Sequence, residues 1–204
     1  MSSSNKSTLY YVYDPMCSWC WGYKPVWDEI ERGVSEQVNV RYVLGGLAPD
    51  SDVPMPKEMQ QQIASYWKKI ENYLGTQFNY DFWSNNTPRR STYPACRALL
   101  AAREQDKELD MLTAIQHAYY LKAQNPSDND VLEQLASEIG LNESQFRQAL
   151  LSSDTQQMLL EELHFARSIG GNSFPSLFVE KEGTIKELPI DYQNSKQTIQ
   201  SILS

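Results

Sequence analysis

Cysteine is scarce in this sequence, histidine scarcer still, and basic residues are outnumbered: three Cys, two His, and 18 Lys and Arg against 26 Asp and Glu in 204 residues. Each shortage excludes something. Three cysteines are too few, and odd in number, for the disulfide framework of a small secreted scaffold. His117 and His164 stand alone in helical patterns and read as surface or packing residues. A net charge of −8, with Lys68-Lys69 and Arg89-Arg90 as the longest basic clusters, argues against a nucleic-acid partner, because phosphate backbones need grouped cations. Both clusters read as solvated surface. No apolar run approaches the roughly 20 residues of a membrane span. The opening Met1-to-Tyr10 stretch has no basic region followed by an apolar one, so no secretory signal is read and the expected location is the cytoplasm.

What is present describes a folded chain. Hydrophobic residues make up 41% and charged residues 22%, an ordinary globular balance. The length suits one domain, or a core domain with a second inserted. Thr8 to Tyr13, β-branched and aromatic, predicts a buried strand broken by Asp14-Pro15. Ser18 to Arg32 predicts a helix with Val26, Trp27 and Ile30 on one face, Pro25 inside it and Gly33 as its stop. Val38 to Leu44 predicts a second strand, and the strand–helix–strand order makes the two parallel.

From Pro56 to about Arg167 only helical patterns occur. Met59, Ile63, Trp67, Ile70 and Leu74 form one stripe. Ala95, Ala98, Leu99 and Ala102 form a second, and Leu109, Leu112, Gln116 and Tyr119 a third. Val131, Leu135 and Ile139 mark a fourth helix, and Asn142 with Gln145 and Asp154 with Gln157 read as capping boxes for two more. Sheet signals return at Ser176 to Val179 and Thr184 to Leu188, joined by a turn at Glu182-Gly183. A closing helix from Asn194 to Leu203 places Ile199 and Leu203 on one face. The pattern alone therefore predicts an α/β fold: a four-stranded mixed sheet flanked by helices, built from residues 8–50 and 169–204, with an all-helical domain inserted at 51–168.

Cys17-Ser18-Trp19-Cys20 falls at the first strand–helix junction. That places Cys17 at a helix N-terminus, where unpaired amides and peptide dipoles favour a thiolate and lower the thiol pKa. The thiolate is the attacking species in disulfide exchange, and Cys20, one turn deeper, can resolve the mixed disulfide. Zinc, a permanent structural bridge and an incidental pair are the competing readings. The first lacks a second close-spaced ligand pair, and the strand–helix setting disfavours the last. No metal is therefore expected. The acidic balance is neutral toward small thiols and mildly favours basic clients.

Tyr13-Asp-Pro-Met-Cys-Ser-Trp-Cys-Trp-Gly22 resembles the active-site segment of the DsbA-like branch of the thioredoxin superfamily, and is particularly similar to its FrnE-type members. The resemblance spans Thr8 to Leu203 and implies a thioredoxin fold carrying a helical insertion. It implies a protein disulfide oxidoreductase or isomerase with Cys17 and Cys20 as the redox pair and no bound cofactor. Glutathione would serve as reductant or co-substrate, and proteins with thiols or disulfides as clients. In that branch a cis-proline before the third strand packs on the redox pair, and its backbone with that of the preceding residue binds extended clients. Phe174-Pro175 stands at that place, although Phe174 departs from the small or β-branched residue usual there.

The alternative is a glutathione-dependent isomerase or transferase resembling 2-hydroxychromene-2-carboxylate isomerase and kappa-class transferases, which typically lack the resolving cysteine. Cys20 favours redox chemistry. Trp19, with Met16, Trp21 and Tyr23, reads either as an apolar rim for a ligand or as core packing. Asp14 reads either as an acid/base or electrostatic partner of the cysteines or as a turn residue. Cys96 reads as a buried small hydrophobe, with a regulatory third thiol as the lesser reading.

Overall fold

A computed structural model describes residues 6–204; the start of the polar N-terminal segment lies outside the described residues. Strand β1 (Thr8–Tyr13) leads through Cys17 into α1 (Ser18–Val34) and then β2 (Asn39–Leu44). Seven helices follow: α2 (Lys57–Leu74), α3 (Phe82–Asn85), α4 (Tyr93–Arg103), α5 (Glu108–Tyr120), α6 (Asn129–Glu138), α7 (Glu143–Leu150) and α8 (Ser153–Ser168). The chain then returns to the sheet as β3 (Ser176–Lys181) and β4 (Thr184–Leu188) and closes with α9 (Ser195–Leu203).

The sheet order is β2-β1-β3-β4, with β1 parallel to β2 and antiparallel to β3. Tyr11 lies opposite Tyr42 on one side and Leu177 on the other. The central position of β1 explains why it is apolar throughout: Leu9 to Tyr13 are all buried, having neighbours on both faces and both edges. Thus the four-stranded mixed sheet with a helical block between its second and third strands is the architecture of this chain. No helix among the described residues is long and apolar enough to cross a membrane.

Local details depart from the pattern-based expectation in instructive ways. Helix α1 does not stop at Gly33 but runs to Val34. A Cβ on Gly33 would sit 2.8 Å from Ile199, so the glycine serves the close approach of α9 rather than termination. The cap of α8 is Ser152, whose hydroxyl accepts from the Thr155 amide; Asp154 lies inside the first turn. On α9 the buried apolar residue is Ile202, and Leu203 is exposed; on α5, Leu109 is exposed while Met111 and Ile115 are buried. In both helices apolar residues close in sequence compete for the core face, and packing decides between them. The Asn142 cap holds as expected, accepting from the Gln145 amide. The short α3 carries no periodicity long enough to read.

Candidate functional site

Cys17 is the N-cap residue of α1, with extended backbone (φ −80°, ψ 116°). Its amide donates to the Asp14 carbonyl at 3.1 Å and its carbonyl accepts from the Trp21 amide at 3.1 Å, so the turn after β1 delivers it directly onto the helix start. Its thiol reaches the Phe174 carbonyl oxygen at 3.6 Å, across 157 positions of sequence. The Phe174–Pro175 peptide is cis, as expected, and Pro175 is buried at the start of β3.

Only 6% of Cys17 is accessible, because it lines a groove rather than an open surface. Cys20 is fully buried one turn along. Burial pushes the Cys20 thiol well up from its ordinary value, and the neighbouring Cys17 adds to that. Both cysteines are free thiols.

Phe174 is accommodated by a glycine. A Cβ at Gly45, just after β2, would come within 1.9 Å of the Phe174 ring, so only glycine leaves room for it. Arg167 fixes the same corner. Its guanidinium donates to the carbonyls of Gly45 and Gly171, both at 2.7 Å, and lies 5.5 Å from the Phe174 ring centroid. The bulky side chain thus turns toward β2, while its carbonyl faces Cys17.

Asp14 is completely buried and its carboxylate touches neither sulfur of the pair by hydrogen bond. Oδ1 accepts from the Met16 amide (2.8 Å), an Asx turn; Oδ2 accepts from the Leu47 amide and the Thr92 hydroxyl, both at 2.7 Å. Its thiol partner is Cys96, 3.6 Å from Oδ2 and fully buried on α4. Burial raises the Asp14 pKa despite the four donors, and burial likewise pushes the Cys96 thiol up. Asp14 therefore joins three segments: the approach to the redox pair, the loop after β2 and the start of α4.

The aromatic cluster divides. Trp19 is half-buried, lines the groove and packs edge-on against Tyr192 at 5.2 Å. Trp21 points to the other side, stacked on Tyr120 and donating to the Gln77 carbonyl, while Tyr23 lies in the core. Met16 is nearly buried but reaches the groove. His117 and His164 are exposed and outside the groove; His117 lies edge-on to Trp21 on that other side, ring centroids 5.9 Å apart.

The groove has a volume of about 400 Å³. One wall is Cys17, Trp19 and Phe174; the other is Met55, Met59, Ile63 and Tyr66, with Arg89, Arg90 and Ser91 at its end. Its lining contains two arginines and no carboxylate. Arg89 and Arg90 are thus not simply solvated surface. The lining is opposite in sign to the overall charge from which basic clients are expected, and the field at a cleft follows its own lining. The methionine and tyrosine wall left no signal of its own in the sequence. Among the described residues no cluster of three or more His, Cys, Asp or Glu could hold a metal ion.

A family model described as Thioredoxin matches residues 10–199. Among solved structures, a candidate protein disulfide isomerase from Nitrosomonas europaea is 28% identical with a TM-score of 0.83, covering 98% of this chain and 96% of that one. The cytosolic disulfide reductase DsbM from Pseudomonas aeruginosa is 23% identical with a TM-score of 0.78 over 96% of both chains; a DsbM structure with GSH also matches, at 0.77. The ClpXP adapter protein SpxH of Halalkalibacterium halodurans is 23% identical over 186 residues, which is 86% of this chain and 60% of that protein. The chain therefore spans about three fifths of the length of that curated relative.

Proposed function

The chain belongs to the thioredoxin family, and from that premise we propose that it is a thiol–disulfide oxidoreductase in which Cys17 attacks and Cys20 resolves. One observation carries the reading: Cys17 caps a helix on the floor of a groove, against the Phe174 carbonyl, with Cys20 buried behind it. In the first step the Cys17 thiolate attacks one sulfur of a client disulfide, forming a mixed disulfide and expelling the other sulfur as a thiolate. In the second, Cys20 gives up its proton and attacks Cys17 Sγ, closing the Cys17–Cys20 disulfide and releasing the client as a second thiolate. The client gains two electrons and the protein loses them; the reverse sequence oxidises a dithiol.

The deeply buried, proton-holding Cys20 supports this order of attack, since the thiolate is the nucleophile and Cys20 resists forming one in the free state. The Phe174 carbonyl and the Trp19 ring border the place where the client sulfur enters, and Pro175 supports them. Asp14 acts through the backbone it ties.

Glutathione is the proposed reductant of the closed disulfide, a reading supported by DsbM having a structure with GSH. DsbM is described as cytosolic, which supports a cytoplasmic location. There the glutathione pool, at about −220 to −320 mV, favours reductase or isomerase work over net oxidation of clients.

The test is covalent trapping. After exposure to oxidised glutathione, Cys20→Ser accumulates a Cys17–glutathione adduct seen in the intact mass, whereas Cys17→Ser accumulates almost none. Equal trapping by the two variants overturns the assigned order. Glutathione-dependent isomerisation that survives undiminished in Cys20→Ser instead supports the isomerase or transferase alternative.

A further inference from the structure

We infer that Arg90 is a specificity-determining residue that selects disulfides carrying a carboxylate, giving the groove a preference for anionic peptide thiols over neutral or cationic ones. This rests on the oxidoreductase reading above and deepens it.

The starting point is a local reversal of charge. The protein carries −8 overall, yet the groove at Cys17 is lined by Arg89 and Arg90 and by no carboxylate. The two arginines differ. Arg89 is committed: its guanidinium pairs with Asp128 and donates to the Ser127 carbonyl, each at 2.8 Å. Arg90 makes no ion pair and no side-chain hydrogen bond among the described residues, and it is exposed.

Its backbone is nonetheless held firmly. The Met55 amide donates to the Pro88 carbonyl at 2.7 Å, and Pro54 bridges Arg89 in antiparallel fashion. The Ser127 hydroxyl donates to the Ser91 carbonyl at 2.6 Å, and the Thr92 amide to the Ala48 carbonyl at 2.9 Å. A cation without a partner therefore stands on a fixed loop at the groove's edge.

Arg90 and Cys17 line the same groove, whose volume of about 400 Å³ suits a ligand of about tripeptide size. Guanidinium is the group best matched to a carboxylate, through two parallel N–H···O bonds. The reaction is unchanged: Cys17 attacks the anionic disulfide and expels a thiolate. Arg90 holds the carboxylate of the half that stays attached until Cys20 displaces it.

The experiment oxidises the reduced full-length protein with three disulfides: oxidised glutathione, neutral 2-hydroxyethyl disulfide and cationic cystamine. Each second-order rate is divided by that of the same disulfide with a neutral small dithiol, which removes intrinsic reactivity. Oxidised glutathione gives the highest normalised rate and cystamine the lowest, and salt compresses the spread. Arg90→Gln lowers the glutathione-to-hydroxyethyl ratio about tenfold, as expected for losing a charge-assisted pair, and Arg90→Lys restores part of it. Arg97→Gln, which removes an arginine bound to Asp50 outside the groove, leaves the ratio unchanged. A ratio insensitive to Arg90, or equally sensitive to Arg97, overturns the inference while the oxidoreductase reading stands. Failure of all three disulfides to oxidise the wild-type pair overturns that reading and this inference with it.

Discussion

The two walls of the groove are built on different principles. The wall with Cys17, Trp19 and Phe174 is fixed by backbone: the Asp14 carbonyl holds the Cys17 amide, the Tyr13 carbonyl holds the Gly45 amide at 2.7 Å, and the Phe174 ring is seated on Gly45. The opposite wall is made of long side chains projecting from Met55 and the first turns of α2, ending in Tyr66, which is 42% exposed. Methionine adapts its shape to what it touches, whereas a sulfur at a helix cap cannot move far. The difference separates two tasks. One wall holds reacting atoms in place, and the other accommodates whatever brings the disulfide in. Asp14 anchors the first wall, tying Met16 to Leu47 in the loop after β2 and to Thr92 at the start of α4.

If that division is right, substitutions on the first wall act on every client alike. Cys17→Ser removes the nucleophile, because a serine hydroxyl does not attack a disulfide under these conditions. Reduction of insulin and of 2-hydroxyethyl disulfide should both fall by on the order of 10³-fold or more. Residual turnover of one client but not the other would mean that a second thiol can substitute. Cys96, at 0% exposure, is poorly placed to do so.

A smaller effect is expected at Asp14, which anchors the first wall. Asp14→Asn places an NH₂ where the Leu47 amide also donates, leaving one buried donor unpaired at a cost of about 1–3 kcal/mol. The pH dependence gives a second handle. The folded-state pKa of Asp14 is raised by burial, so the folded chain holds that proton more tightly than the unfolded one does. The stability this gives is fully present below the unfolded value near 4 and is lost as pH rises through the folded value. The deficit of Asp14→Asn relative to wild type, read from urea midpoints between pH 4 and 8, should therefore be largest at the acid end and shrink upward. A deficit that grows with pH would mean that the carboxylate is stabilised as an anion, and that its donors outweigh its burial.

The first wall was legible in the sequence and the second was not, for a reason visible in α2. Strand β1, the start of α1 and the position of Cys17 and Cys20 follow from local periodicity and a strand–helix boundary, both carried by adjacent residues. The meeting of Phe174 with Cys17 is not local, and it was anticipated only through the family resemblance. On α2, one apolar stripe runs Met59, Ile63, Trp67, Ile70, but its two ends do different things. Trp67 and Ile70 are fully buried in the core, while Met59 and Ile63 line the groove. Helical periodicity reports that a face is apolar, not what covers it. Arg89 and Arg90 read as solvated surface for a similar reason. A charge pair in a loop looks the same in sequence whether it faces solvent or a cleft.

The smallest effect tests that shared stripe most directly. Met59 is half-buried and touches no reacting atom; its contribution is apolar contact with the client on the adaptable wall. Truncation by Met59→Ala removes on the order of 40 Å² of that contact, about 1 kcal/mol, or roughly a fivefold change in affinity. Contact made equally in the bound and transition states alters KM and leaves kcat unchanged. For a peptide disulfide long enough to lie along α2, Met59→Ala should therefore raise KM about fivefold at constant kcat. For 2-hydroxyethyl disulfide, which is too short to reach that wall, both constants should hold. A fall in kcat for the short substrate would show that Met59 positions the redox pair as well. The two walls would then be one device, and the division of labour between them would have to be abandoned.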